Sequence, residues 1–291
     1  MSTPEDSGYP GQVNPIPSAT SPTPDPDNPP WGLLVAALVW LASVVLTLMI
    51  PQLCALPYVV THYRSIAGGP TKETLLSDKT FVLLLVIGLF VAHLITLALA
   101  WAVVTRLGKL SFKKTLGLSW PANFGAWKSI GLAFLLFIIA MLILKKFGGQ
   151  DNDLQRILNS SRAAALVVAF IAAATAPLIE EVVYRGLLYS TLQRLAGPIT
   201  GVIVVTSVFA GLHVLQYWPD AGAIASISLL SLVLTLIRAR TGRLLPCYVI
   251  HLVFNGIQSV LIVAEPYLRA LYEAWRQKPL TGVLHTLFTP F

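Results

Sequence analysis

An all-α fold, a polytopic transmembrane bundle of about seven or eight membrane helices, is what this sequence predicts, and three observations predict it. Charge is scarce: 55% of the 291 residues are hydrophobic and 11% are charged, against about 25% charged in a soluble domain. Mean hydropathy is +0.73. The apolar residues fall in long uncharged runs, and the basic residues behind the net charge of +7 sit in the short segments between them, where membrane proteins keep Lys and Arg. Membrane lipid is therefore an expected partner and nucleic acid is not. Cys54 and Cys247 lie in or beside apolar runs without CxxC spacing, so they read as small buried side chains rather than a disulfide or zinc framework.

Residues 1–30 hold nine prolines, four acids and no Lys or Arg, which reads as a disordered Pro-rich tail. The basic n-region of a secretory signal peptide is missing. Such a tail can bind a Pro-recognising partner, although plain solvated chain is the simpler reading. Residues 31–162 read as N-terminal transmembrane helices with an interfacial segment. Trp31 to Ile50 carries no charge and spans about 30 Å as a helix, enough for the hydrocarbon core. Pro51 and Pro57 are expected to end or kink it. Thr80 to Thr105 is a second run, with His93 as its one titratable group, and Ser129 to Leu144 is a shorter third. Between these, 106–128 mixes Lys109, Lys113 and Lys114 with Leu107, Leu110, Phe112, Leu116 and Trp120, the pattern of a segment lying at the headgroups. Asp151, Asn152 and Asp153 offer N-caps for a short helix leading into the fourth span.

Residues 163–265 carry the remaining spans. They are Ala163 to Ile179, Ala196 to Pro219 with His213 inside, Ala221 to Ile237 without charge, and Leu244 to Ala264 with His251. After Pro266, Leu268, Leu271, Tyr272 and Trp275 fall at i, i+3, i+4 and i+7, so 266–291 reads as an amphipathic tail. Seven spans result, or eight if that tail folds back. Basic residues then divide ten to each side, so the Lys/Arg bias assigns no orientation.

The stretch Glu180-Glu181-Val182-Val183-Tyr184-Arg185 is the exception to the apolar rule. Ionisable groups at membrane depth are costly and usually mark a functional pathway, whereas a cytoplasmic helix end with surface charges is the bland alternative. Glu181 and Arg185 stand at i and i+4 and can pair. Glu180 lies about 100° round the helix and is free to point elsewhere. Gly197-Pro198 is the expected turn to the next helix. The midpoint of 180 and 213 is 196.5, so an antiparallel hairpin sets Glu180 and His213 level, each about 25 Å from the turn. His251 lies about 15 Å in from the Thr241-Gly242-Arg243 turn, a looser match. Asn255 shares its face, and Phe209 stands in the same i+4 relation to His213. Pro177 should free the Ala173 carbonyl and bend the helix beside the acid.

Two chemistries want such a set. A zinc ion held by Glu180, His213 and His251 would leave a position for water. Without metal, Glu180 helped by an imidazole would take a proton from water while the other His and Asn255 stabilise an oxyanion. HExxH is absent, so no single helix offers a ready ligand pair. Taken singly, an intramembrane His or Asn is often a helix-packing residue, and for His93, which has no partner in the sequence, that reading is preferred. Arg238, Arg240 and Arg243 read as a basic membrane-flanking loop.

Glu180-Glu181-x-x-x-Arg185, Phe209-x-x-x-His213 and His251-x-x-x-Asn255 resemble, in that order, the motifs of the CPBP family. These are the CAAX proteases and bacteriocin-processing membrane enzymes, also called ABI proteins. Gly186 and Thr241-Gly242 look like the family as well, and the similarity covers about 163–262. The resemblance implies a helical intramembrane endopeptidase around a water-filled cavity, with 163–265 as its catalytic core. It implies Glu180 as general base beside His213, Glu181 and Arg185 as supports, and His251 with Asn255 as the oxyanion-stabilising part. The family has been described both as metalloproteases and as glutamate proteases, so zinc stays open. A peptide or lipidated-protein substrate and a multi-pass place in the cell membrane are expected. Two rival functions fit the same polar cavity. One is a non-catalytic immunity or adaptor protein, to which the Pro-rich tail lends support. The other is a proton- or metal-coupled transporter, which normally shows repeat halves that this sequence lacks.

Overall fold

The computed structural model describes residues 25–66, 68–149 and 153–276. Its regular elements are helices: α1 (Leu33–His62), α2 (Lys72–Ser77), α3 (Lys79–Thr105), α4 (Phe112–Thr115), α5 (Ala126–Phe147) and α6 (Asp153–Ser160), followed by the helices of the core. Among the described residues, six helices are long and apolar enough to cross a membrane. One of them, Arg162–Tyr217, has 56 residues, a rise of about 84 Å against a hydrocarbon core of about 30 Å. It is broken at Gly197, whose φ of 83° lies in the left-handed region that glycine enters without strain. Its two legs, α7 (162–196) and α8 (198–217), lie antiparallel. With α9 (Ala221–Thr241) and α10 (Leu245–Arg276), the chain therefore makes about seven passes, as the sequence predicts.

Pro51 and Pro57 do not end the first span; α1 runs through both to His62. Each proline costs one backbone hydrogen bond, and packing against α3 holds the helix together around the loss. The contact is close because Gly88 has no side chain: a Cβ there would stand 2.6 Å from the Pro51 Cα. The segment 106–128 is only partly interfacial. Lys109, Lys113 and Lys114 are exposed, but Leu116 is buried in the core, and the Gly117 carbonyl accepts from the Leu244 N–H at 3.0 Å. Asp153 is the first residue of α6; Asp151 and Asn152 lie outside the described residues. The last span and the start of the amphipathic tail are one helix of 32 residues, α10, continuous through Pro266. Leu268, Leu271, Tyr272 and Trp275 are exposed on it, and residues 277–291 lie outside the description.

Composition placed 1–30 in a loose tail, yet 25–31 pack as a strap across one end of the bundle; 1–24 are outside the described residues. Asp27 accepts from Gln193 at 2.8 Å and from Arg238 at 2.6 Å, and the Pro26 carbonyl accepts from Arg238 at 2.7 Å. Arg194 donates to the Pro29 and Trp31 carbonyls, and Arg106 to that of Pro30. The Trp31 indole donates to the Leu187 carbonyl. Extended proline-rich chain leaves its carbonyls unpaired, so guanidinium donors from three helices can gather them.

Three apolar clusters hold the passes together. Val39, Val104, Leu187 and Val205 join α1, α3, α7 and α8. Leu136, Leu234 and Phe254 join α5, α9 and α10, and Ala55, Val82 and Ile171 join α1, α3 and α7. Members of all three, among them Val183, Leu230 and Val86, line a common cavity.

Candidate active site

The α7–α8 hairpin sets the register of the site. The Tyr184 and Phe209 rings meet at 4.9 Å, and Gly201 lets the Tyr189 ring in so close that a Cβ would stand 3.0 Å from it. Tyr184 and Phe209 lie 13 and 12 residues from the Gly197 break, and Glu180 and His213, at 17 and 16, follow the same register one turn deeper. Both line a cavity of about 600 Å³ walled mainly by apolar side chains, with His251 and Asn255 also on its wall. Leu154 and Ile157 of α6 and Gln216 and Tyr217 of α8 border it too.

Glu181 and Arg185 are fully buried and paired at 2.9 Å, as their spacing predicts. The guanidinium has further acceptors on α9: the Thr235 hydroxyl at 3.2 Å, the Ser231 hydroxyl at 2.8 Å and the Ser231 carbonyl at 3.1 Å. It also lies 4.7 Å above the Phe209 ring, on which the His213 imidazole stacks at 4.4 Å. Phe209 thus separates the structural cation from a cavity-lining imidazole. Glu180 is different: a quarter of its side chain is exposed, and its Oε2 lies 3.7 Å from His251 Nε2.

His251 bridges the two acids, a closer arrangement than its depth in the sequence suggests. Its Nδ1 lies 2.9 Å from the Glu181 oxygen that also takes Arg185. A carboxylate only accepts, so Nδ1 carries the proton and Nε2 is left for Glu180 and the cavity. His213 is fixed alike, its Nδ1 donating to the Phe209 carbonyl at 2.8 Å.

Asn255 donates through Nδ2 to the Ala172 carbonyl at 3.0 Å. The sequence assigns the proline-freed carbonyl to Ala173, but Ile171–Thr175 is wound as π-helix. There the partner of a carbonyl is five residues on, which for Ala172 is Pro177, and Pro177 has no N–H. Asn255 supplies the missing donor. A second π-helical stretch, Glu181–Tyr189, carries the ion pair itself. Such stretches are frequent at functional sites.

Three polar residues on this architecture escape sequence reasoning. His93 lines the cavity from α3, with Nδ1 2.9 Å from the Thr175 hydroxyl. Thr96, one turn along α3, lines it too. Arg238, expected in an exposed loop, is 1% exposed and held by the strap. Helix spacing gives no sign of these: the partners of His93 and Arg238 come from distant segments, and the Thr96 hydroxyl has none.

The His213 and His251 tautomers, with Nδ1–H held and Nε2 free, are those metal ligands use. Among the described residues, however, no three His, Cys, Asp or Glu side chains come together as a metal-binding group. As placed, Glu180, His213 and His251 do not form such a group.

A membrane bundle that holds a half-free carboxylate, two oriented imidazoles and a neutralised ion pair around one cavity has the groups a protease needs. Residues 162–257, about a third of the chain, match the family model described as Type II CAAX prenyl endopeptidase Rce1-like. That segment contains the three motifs on α7, α8 and α10, and there the chain is similar to a CAAX-protease domain. No curated protein and no solved structure matches the chain.

Proposed function

We propose that the protein is an intramembrane endopeptidase that hydrolyses a peptide bond of a lipidated, CAAX-type, or membrane-inserted peptide. The observation that carries this is the unequal treatment of two adjacent carboxylates. Glu181 is spent on Arg185 and His251, and Glu180 faces the cavity. In this reading Glu180 takes one proton from a water whose oxygen bonds to the scissile carbonyl carbon, with His213 Nε2 accepting the other O–H. The carbonyl π pair moves to oxygen, and the imidazolium form of His251, with Nδ1–H kept on Glu181, gives Nε2–H to that oxyanion. The C–N bond then breaks, and the proton held by Glu180 passes to the leaving amine. Asn255 acts by holding the Ala172 carbonyl, and with it the bend before Glu180. Glu181, Arg185 and Phe209 keep His251 and His213 in place.

The test is cleavage in detergent of a quenched-fluorophore peptide ending in S-farnesyl-cysteine, two aliphatic residues and a free C-terminal residue. Wild type should cleave it and Glu180→Ala should lose about 10²–10⁴-fold in rate. Equal cleavage by the folded variant sinks the proposal. A bound immunity or adaptor role predicts instead no cleavage by either protein.

A further inference from the structure

We infer that α3, which lies outside the matched segment 162–257, supplies a subsite that binds the backbone of the substrate peptide through His93 and Thr96. The inference rests on the peptidase reading and adds a binding element to it.

Three observations carry it. The Thr175 hydroxyl donates to the Ile171 carbonyl at 3.2 Å, so towards His93 its oxygen can only accept. His93 Nδ1 therefore holds a proton, and a neutral His93 presents Nε2 as a lone pair to the cavity it lines. His93 on α3 and Glu180 on α7 line the same cavity. The third observation is Thr96. A threonine inside a helix usually satisfies its hydroxyl on its own backbone, as Thr105 does on the Trp101 carbonyl. Thr96 is 1% exposed and its hydroxyl has no hydrogen-bond partner, yet it lines the same cavity.

An acceptor and a donor one helical turn apart are what an incoming peptide lacks. A peptide drawn from water into an apolar cavity brings N–H and C=O groups that cost free energy unless paired. His93 Nε2 takes a backbone N–H and the Thr96 hydroxyl gives to a carbonyl, which aligns the chain against Glu180 on the facing helix. His93 and Thr96 are positioning residues in this scheme, and no proton leaves either.

The experiment measures kcat and KM on the farnesylated peptide. It also measures the affinity of the same peptide for Glu180→Ala protein by fluorescence anisotropy. His93→Leu and Thr96→Val keep the volume and remove the polar atoms. Each should raise KM, and weaken binding in the Glu180→Ala background, by roughly tenfold, the consequence of one unpaired buried polar group. kcat should change less than KM. His93→Gln keeps an acceptor and a donor and should restore binding most of the way. Unchanged KM and affinity in His93→Leu and Thr96→Val, with wild type active, overturn the subsite. Binding that depends on His93 without any cleavage by wild type keeps the subsite and overturns the peptidase reading. Neither binding nor cleavage overturns both.

Discussion

Two buried arginines divide the molecule. Arg185 sits at the cavity and Arg238 at the strap, and each is essentially inaccessible to solvent. Arg185 is met by a fully buried carboxylate and by two side chains of α9, Ser231 and Thr235. Arg238 stands on the same helix three residues after Thr235, but it is met by Asp27, half of whose side chain is exposed. Its Nε has no partner. The difference teaches how the charge is used. At the cavity the ion pair is sealed from water, and the carboxylate oxygen that takes Arg185 also orients His251. At the strap the ion pair is half wet and serves to close the end of the bundle.

Breaking the sealed pair should have the larger effect on stability. Glu181→Ala leaves a buried guanidinium unpaired and should cost on the order of 3–5 kcal/mol, seen as a lower melting temperature and poorer yield. A normal melting curve for that variant would erase the contrast between the two arginines.

Thr235→Val sharpens the same contrast at smaller scale. It removes one hydrogen bond to a buried charge and should cost about 1.5–3 kcal/mol. Chemical denaturation in a single detergent reads the change. A loss as large as that of Glu181→Ala would mean that the hydroxyl, and not the carboxylate, holds the guanidinium.

Asp27→Asn should have the smallest effect, under about 1 kcal/mol, since its carboxylate is half exposed and screened. Burial by itself would raise the Asp27 pKa, but the charge and hydrogen bond of Arg238 outweigh it and hold the carboxyl below its ordinary value of 3.8. A depressed carboxylate stabilises the fold above its ordinary pKa and loses that contribution as pH falls through its lower folded value. Wild type should therefore show an added fall in melting temperature below about pH 4 that Asp27→Asn lacks. Parallel melting profiles for the two proteins would contradict the ion pair.

Much of the core was legible because it obeys local spacing. Glu181 and Arg185 pair at i and i+4, and Gly197-Pro198 turns the chain where the midpoint of Glu180 and His213 falls. Three apolar-helix motifs in order marked the segment that the family model covers. What stayed hidden depends on distant chain. Thr175 gives His93 a partner 82 residues away, and Asp27 gives Arg238 one 211 residues away. That α1 continues through Pro51 is hidden too, because propensity judges a helix alone and the groove at Gly88 lies on another helix. The freed carbonyl was assigned one residue late because nothing in 171–175 announces π winding, which shifts the partner from the fourth residue to the fifth.

The claim that two neighbouring acids do two jobs meets its most direct test in Glu180→Gln, assayed beside wild type for melting temperature and for cleavage of the farnesylated peptide. The structure predicts a variant that melts with wild type, because Glu180 holds no buried cation, and that does not cleave. Cleavage at the wild-type rate, or a loss of activity that merely follows a collapse in melting temperature, would contradict it.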